Sequence, residues 1–118
     1  MDLGVDVSER NGFTVVSVMG EMDVYTAPQF RQRLVEVLTQ GKSRIVVDLE
    51  GLEFIDSTGL GVLVGALKRA RNQDGDIELV LTKPAIARVF EITGLTKVFA
   101  IHTTVDEAVG AGVTPGDL

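Results

Sequence analysis

A strand, a short polar turn and an amphipathic helix follow one another in the middle of this chain. Residues 45–49 (IVVDL) are apolar and mostly β-branched, which is typical of a strand buried in a sheet. After the turn, Leu60, Leu63, Val64 and Leu67 recur at helical spacing and form one apolar stripe. A buried strand that leads directly into such a helix favours an α/β fold, in which crossover helices join parallel strands.

The turn between strand and helix carries an acid, two hydroxyls and a glycine: Asp56, Ser57, Thr58 and Gly59. A hydroxyl at this position lies beside free backbone N–H groups and the positive end of the helix dipole. That environment is well suited to a phosphate group. The alternative interpretation is that Ser57 or Thr58 only caps the helix, and local chemistry leaves both interpretations open.

Turn and cap signals predict the other elements. Asn11 and Gly12 separate two alternating segments and tolerate positive φ, so we expect an N-terminal β-hairpin. Thr26 and Gln29 form a capping-box pattern that opens a helix, and Gly41 ends it. The later predicted elements are a strand at 77–81, a helix at 84–92, a strand at 98–101 and a short helix opened by Thr104.

These elements fit one α/β domain in residues 1–110, followed by a flexible tail in residues 111–118. We expect a mixed five-stranded sheet with an antiparallel N-terminal hairpin, the remaining strands parallel, and about four helices. A chain of 118 residues can bury roughly two-thirds of its unfolded surface, which is enough for one core.

Composition narrows the classes of function. The chain has 11 Lys and Arg against 17 Asp and Glu, a net charge of −6, which disfavours direct binding to nucleic acid and favours protein partners with a basic face. There is no signal peptide, no apolar run that could span a membrane and no cysteine, so we expect a cytoplasmic protein. A single histidine, His102, excludes a two-histidine metal site, and no cofactor or metal is expected.

The sequence offers no complete set of catalytic residues. Ser57 lacks the first glycine of a Gly-x-Ser-x-Gly elbow, and His102 has no evident acid to orient it. The chain also has no glycine-rich phosphate loop followed by Lys and Ser or Thr. We therefore expect a protein that is not an enzyme.

The alternative function is a receiver domain that accepts a phosphoryl group on Asp48. Asp48 lies in an apolar strand, and Lys83-Pro84 follows a later strand, as in such domains. The pair of acids that would hold magnesium after the first strand is missing, and the initial hairpin disagrees with the strand order of a receiver.

Asp23 and Glu21 are acids that follow the second predicted strand. They would lie in a solvated turn unless the second and third strands are neighbours in the sheet. In that arrangement Asp23 would lie beside Asp56 and Ser57.

The central helix has an unusual second face, opposite its apolar stripe. This face carries Gly61, Val62, Gly65 and Arg69 in place of the charged residues expected toward solvent. An interior glycine costs a helix roughly 1 kcal/mol relative to alanine, and it lets another backbone approach closely. The face is either a docking surface or a second packed side of the helix.

Four segments together resemble one protein family: residues 20–23 (GEMD), 46–49 (VVDL), 54–63 (FIDSTGLGVL) and 92–99 (ITGLTKVF). They are similar to the anti-sigma factor antagonists, which are single-domain STAS proteins, and the resemblance extends over residues 3–109. Within that family the chain looks most like actinobacterial, BldG-like members of the sporulation and developmental type.

The resemblance implies a partner-switching regulator of transcription. In that family the unphosphorylated antagonist binds an anti-sigma factor that is also an ATP-dependent serine kinase, and the sigma factor is released. The kinase phosphorylates the serine after the aspartate, here Ser57, which abolishes binding, and a PP2C-type phosphatase reverses it. Thr58 stands where many members have a second serine, and Asp23 matches a partner-contact position. With the helix face, the predicted partner-binding residues are Asp23, Asp56, Ser57, Thr58, Gly61, Val62, Gly65 and Arg69.

Overall fold

The computed structural model describes residues 2–110, and the tail expected at 111–118 lies outside them. Within this part the chain forms five strands, four α-helices and one 3₁₀ turn. In chain order these are β1 (Leu3–Arg10), β2 (Phe13–Met22), α1 (Ala27–Thr39), β3 (Arg44–Ile55), α2 (Ser57–Asn72), β4 (Asp76–Val80), α3 (Pro84–Ile92), the 3₁₀ turn (Leu95–Lys97), β5 (Ile101–His102) and α4 (Val105–Val109).

The five strands form one mixed sheet in the order β1-β2-β3-β4-β5. β1 and β2 are antiparallel, and every later pair is parallel. The hairpin turns at Asn11 and Gly12, whose φ values of 50° and 84° show why this dipeptide is suited to the position. The predicted architecture is therefore confirmed.

The sheet divides the core into two unequal parts, one on each of its faces. The larger part lies between one face of the sheet and the first three helices, with Phe30, Leu63 and Phe90 fully buried in it. On the opposite face, Val46 of β3 packs with Ala108 of α4 in a smaller cluster. Side chains alternate between the faces of a strand, so both parts of the core draw on the same central strands.

The last strand differs from the prediction. A strand was expected at 98–101, but β5 contains only Ile101 and His102. The N–H groups of Val98 and Phe99 both donate to the Leu95 carbonyl at 3.0 Å, so they belong to a helical turn. Phe99 is buried edge-on against Phe90, with ring centroids 6.5 Å apart, and this packing holds the turn in place.

No helix in the described part of the chain has the length and apolar character needed to cross a membrane.

Candidate functional site

The ends of β2 and β3 bring two sequence motifs side by side. Met22 pairs with Ile55 in the parallel ladder, and the N–H of Asp56 donates to the Met22 carbonyl at 3.1 Å. Asp23 directly follows Met22, so the loop after β2 lies next to the first turn of α2. Because β2 and β3 are neighbours in the sheet, Asp23 lies beside Asp56 and Ser57, which is the condition for this acid to belong to the site.

The first turn of α2 is capped by Asp56. Its Oδ1 accepts hydrogen bonds from the N–H groups of Thr58 at 2.9 Å and Gly59 at 3.3 Å. The interpretation that Ser57 or Thr58 is the cap is therefore wrong, and two N–H groups expected to be free are occupied. Ser57 is the first residue of the helix and is exposed, so a modifying enzyme can reach its hydroxyl without breaking the cap.

Asp23 organises the loop between β2 and α1. Its Oδ1 accepts hydrogen bonds from the N–H groups of Tyr25 at 2.9 Å and Thr26 at 3.0 Å. Desolvation raises the pKa of the Asp23 carboxyl, but the hydrogen bonds from Thr26 and Tyr25 outweigh it, and the pKa lies below its ordinary value. This acid is more than a solvated turn residue, because its carboxylate holds the loop in shape.

Thr26 does not act as the predicted capping-box residue. Its side chain makes no cap hydrogen bond to α1, and its hydroxyl donates instead to the Glu21 carbonyl at 2.8 Å. The Asp23 N–H donates to the same hydroxyl oxygen at 2.9 Å. Thr26 is therefore buried as a link between the end of β2 and the loop.

Three exposed apolar side chains lie close in sequence to Asp23 and Asp56, and they were not predicted as site residues. Val24 and Tyr25 follow Asp23, and the Tyr25 side chain is 87% exposed. Phe54 precedes the α2 cap and is 46% exposed. The available signal was that all three residues lie outside the strands and helices predicted from the sequence. A group of exposed apolar residues beside a polar motif marks an interaction surface.

The glycines of α2 fall into two groups, one required by packing and one not. A Cβ added to Gly59 would lie 2.7 Å from Met22 Sδ and 3.0 Å from Ile55 Cγ1, so the fold itself needs glycine there. A Cβ added to Gly61 or Gly65 would meet no described atom within 4 Å. The packing of the described residues therefore gives no reason for glycine at these two positions.

The second face of α2 is open. Gly61, Val62, Gly65 and Arg69 line a cavity of about 350 Å³ between α1 and α2, together with Thr58. The alternative that this side of the helix is fully packed is wrong for the two glycines, both of which are exposed. The structure thus places seven of the eight predicted partner-binding residues, all but Asp23, on α2 or its cap, and six of them lie between Asp56 and Gly65.

Asp48 lies in an environment unlike that of a phosphoryl acceptor. It sits inside β3, paired with both neighbouring strands, and its Oδ1 accepts a hydrogen bond from the Glu50 N–H at 3.0 Å. Lys83 donates to the Leu52 carbonyl at 3.2 Å rather than to this acid. Residues 2–110 hold no group of three or more His, Cys, Asp or Glu side chains that could bind a metal ion. These contacts do not favour the receiver function.

Comparison with known proteins agrees with the fold and the motif. Residues 4–108 match the STAS domain family. The anti-sigma-B factor antagonist of Bacillus subtilis (strain 168) is 38% identical over 101 residues, which cover 86% of this chain and 92% of that protein. An anti-sigma factor antagonist from Mycobacterium paratuberculosis has a crystal structure with 34% identity and a TM-score of 0.86, covering 93% of both chains.

The fold is also shared with Bacillus SpoIIAA, whose structure is known in both phosphorylation states. The unphosphorylated form has 21% identity and a TM-score of 0.72 over 93% of this chain and 97% of that one. The phosphorylated form has 24% identity and a TM-score of 0.71 over 92% and 99%. This chain therefore belongs to the STAS domain family. Within it, the chain is homologous to the anti-sigma-B factor antagonists.

Proposed function

We propose that this chain is an anti-sigma factor antagonist that acts by partner switching. Its unphosphorylated form binds an anti-sigma factor and frees the sigma factor, and a phosphate on Ser57 ends that binding. The observation that carries the proposal is the exposed Ser57 at the start of α2, beside a cap that does not use its hydroxyl. The homology to an anti-sigma-B factor antagonist supplies the class of partner.

Ser57 is the proposed phosphoacceptor rather than Thr58, because Thr58 lines the groove between α1 and α2 and Ser57 does not. Thr58 faces the groove between α1 and α2 and lines both cavities there. Ser57 lines neither cavity and is exposed, so a kinase can reach it without entering the groove. Both residues are exposed, so the difference between them is their position relative to the groove.

The electrostatics favour loss of partner contact. A phosphate adds about −1.5 to −2 charges, here beside the Asp56 side chain and close to the loop of Asp23. The helix dipole offsets part of this charge, but Asp56 already accepts two of the N–H groups that would bind the phosphate. A penalty of about 3 kcal/mol at the interface weakens binding more than about 100-fold.

The remaining features of the proposed system follow from this role. The chain is a substrate and a binding partner rather than an enzyme. Its anti-sigma factor carries the serine kinase activity, and a PP2C-type phosphatase removes the phosphate. Such a regulator works in the cytoplasm, where sigma factors act, and it touches neither nucleic acid nor membrane itself.

The test begins with the Ser57→Ala variant as bait, since it should bind the anti-sigma factor without being released by phosphorylation. The captured kinase is purified, incubated with wild-type protein and ATP, and the phosphosite is mapped by mass spectrometry. We expect phosphate on Ser57, with Thr58→Val as a matched control that is still modified. Ser57→Asp should bind at least about 100-fold more weakly than Ser57→Ala.

Two outcomes contradict the proposal. Equal binding of Ser57→Ala and Ser57→Asp would show that charge at this position does not control the partner. A phosphate that is labile to hydroxylamine and maps to Asp48 would support the receiver function instead.

A further inference from the structure

The groove between α1 and α2 extends beyond the residues that the sequence indicated. A second cavity of about 420 Å³ adjoins the first, and both are lined by Arg31, Val35, Thr58 and Val62. Arg31 and Val35 belong to α1, and the sequence motifs of α2 gave no indication that α1 forms part of the surface. The two cavities form one continuous groove, defined here as the α1–α2 groove, that begins beside Thr58.

The α1–α2 groove has the length of a short helix. It runs along α2 from Thr58 to Arg69, a rise of about 17 Å or about three helical turns. At the far end the Arg69 guanidinium donates to Thr39 Oγ1 at 3.4 Å, where α1 ends. Its floor is made of buried core side chains, chiefly Leu34 and Leu38, and is therefore apolar.

Arginines stand in the groove of an acidic protein. Arg31 and Arg69 are exposed, and neither takes part in an ion pair with another residue of the described chain. The one acid that lines the groove, Glu36, lies 3.9 Å from Arg33 outside it. Although the net charge of the chain is −6, the groove presents to its occupant two arginine side chains without an ion-pair partner among the described residues. Charge complementarity favours an acidic occupant.

We propose that the α1–α2 groove binds a helical segment of the anti-sigma factor, about three turns long, with small and apolar residues on one face and acidic residues near its ends. Open space above Gly61 and Gly65 allows a partner helix to approach the backbone of α2 closely. An apolar helix face in an apolar groove is a common mode of recognition. The inference rests on the proposed function and names the partner's chemistry.

This placement links the groove to the phosphorylation site. Arg31 and Thr58 lie together at the end of the groove where α2 begins, next to Ser57. The acidic end of the partner segment that pairs with Arg31 would therefore lie near a phosphate on Ser57. The added negative charge then repels the occupant at that end of the groove.

The chain has no cysteine, so the alkylation rate of a single introduced cysteine reports solvent access to the groove. Gly65→Cys places one thiol in the groove, where its Cβ meets no described atom within 4 Å. Arg88→Cys is the matched control, since Arg88 is exposed on α3 and lines no part of the groove. On saturation with the purified anti-sigma factor, alkylation of Cys at 65 by iodoacetamide should slow about tenfold or more, because an interface core excludes solvent. Alkylation at 88 should not change.

Charge reversal tests the acidic character of the occupant. Arg31→Glu and Arg69→Glu should each weaken binding of the anti-sigma factor by about tenfold, whereas Arg88→Glu should stay within about twofold. The effects should shrink at high salt, because exposed charges are screened. Circular dichroism and thermal unfolding verify that the exposed substitutions leave the fold unchanged.

The outcomes separate this inference from the proposed function. If Ser57→Asp abolishes binding while the arginine variants bind like wild type and Cys at 65 stays reactive in the complex, the groove inference is wrong and the proposed function stands. If wild-type protein binds no anti-sigma factor, the proposed function fails and the groove inference fails with it. Protection at 65 in the protein alone, together with a dimer in light scattering, would assign the groove to a second copy and overturn the inference.

Discussion

Replacing Gly65 by alanine should stabilise this domain, even though the position lies within the predicted partner surface. Gly65 is in the interior of α2, where glycine costs about 1 kcal/mol relative to alanine. The new methyl group meets no described atom within 4 Å, so no steric term opposes that gain. We expect the free energy of unfolding to rise by about 1 kcal/mol, which at this chain length is a Tm increase of about 4 °C.

Gly59→Ala is the matched control on the same helix. Its methyl group would lie 2.7 Å from Met22 Sδ, and Met22 is fully buried and cannot move aside freely. Overpacking of this kind costs about 1–3 kcal/mol and should exceed the gain in helix propensity. The two alanine variants should therefore shift stability in opposite directions.

Urea denaturation followed by circular dichroism measures both variants, with the midpoint compared at constant m-value. A lower stability for Gly65→Ala would refute the reasoning, because it would show that the open face is packed in solution. Binding of the anti-sigma factor is measured on the same samples. If a partner helix lies against this face, Gly65→Ala combines higher stability with weaker binding.

Three further predictions concern the residues around Ser57. Asp56→Ala should lower the free energy of unfolding by about 1 kcal/mol in urea titrations, because it removes the α2 cap, and an unchanged midpoint would contradict that role. The pKa of Asp23 is lowered by folding, so its contribution to stability is present at pH values above its ordinary pKa of 3.8 and is lost as the pH falls through its folded value. Asp23→Asn should therefore show a smaller loss of Tm between pH 5 and pH 3 than wild type, and parallel curves would exclude this linkage. Tyr25→Ala should weaken anti-sigma factor binding by about tenfold or more with a change in unfolding free energy within about 0.5 kcal/mol. The control is Ile92→Ala, at a residue of α3 that is 72% exposed. Binding of both variants is measured by isothermal titration calorimetry, and Ile92→Ala should bind like wild type.

The sequence was most informative where local chemistry decides the structure. The hairpin follows from Asn11 and Gly12, because few other residues accept positive φ at both turn positions. The alternation of strand and helix predicted the parallel part of the sheet. The extent of β3 was not predictable, because residues 50–55 continue the strand only through register shifts in its pairing with β2.

The site was predicted in part for a similar reason. Asp56, Ser57 and Thr58 all have side chains that can cap a helix, and the choice depends on where β3 ends, which tertiary pairing sets. The α1 side of the groove, with Arg31 and Val35, could not be found from the motifs of α2. Residues from two helices meet there only because β2 and β3 are adjacent in the sheet.

The Asp56 cap has a consequence for how regulation by a phosphate on Ser57 would operate. Its carboxylate is held by two backbone N–H groups and cannot turn away from a new negative charge without opening the first turn of α2. The modification is then registered at the interface by its charge, without a change of conformation in this domain. Under this proposal the response is set by the balance of kinase and phosphatase rates and by how fast the partner dissociates.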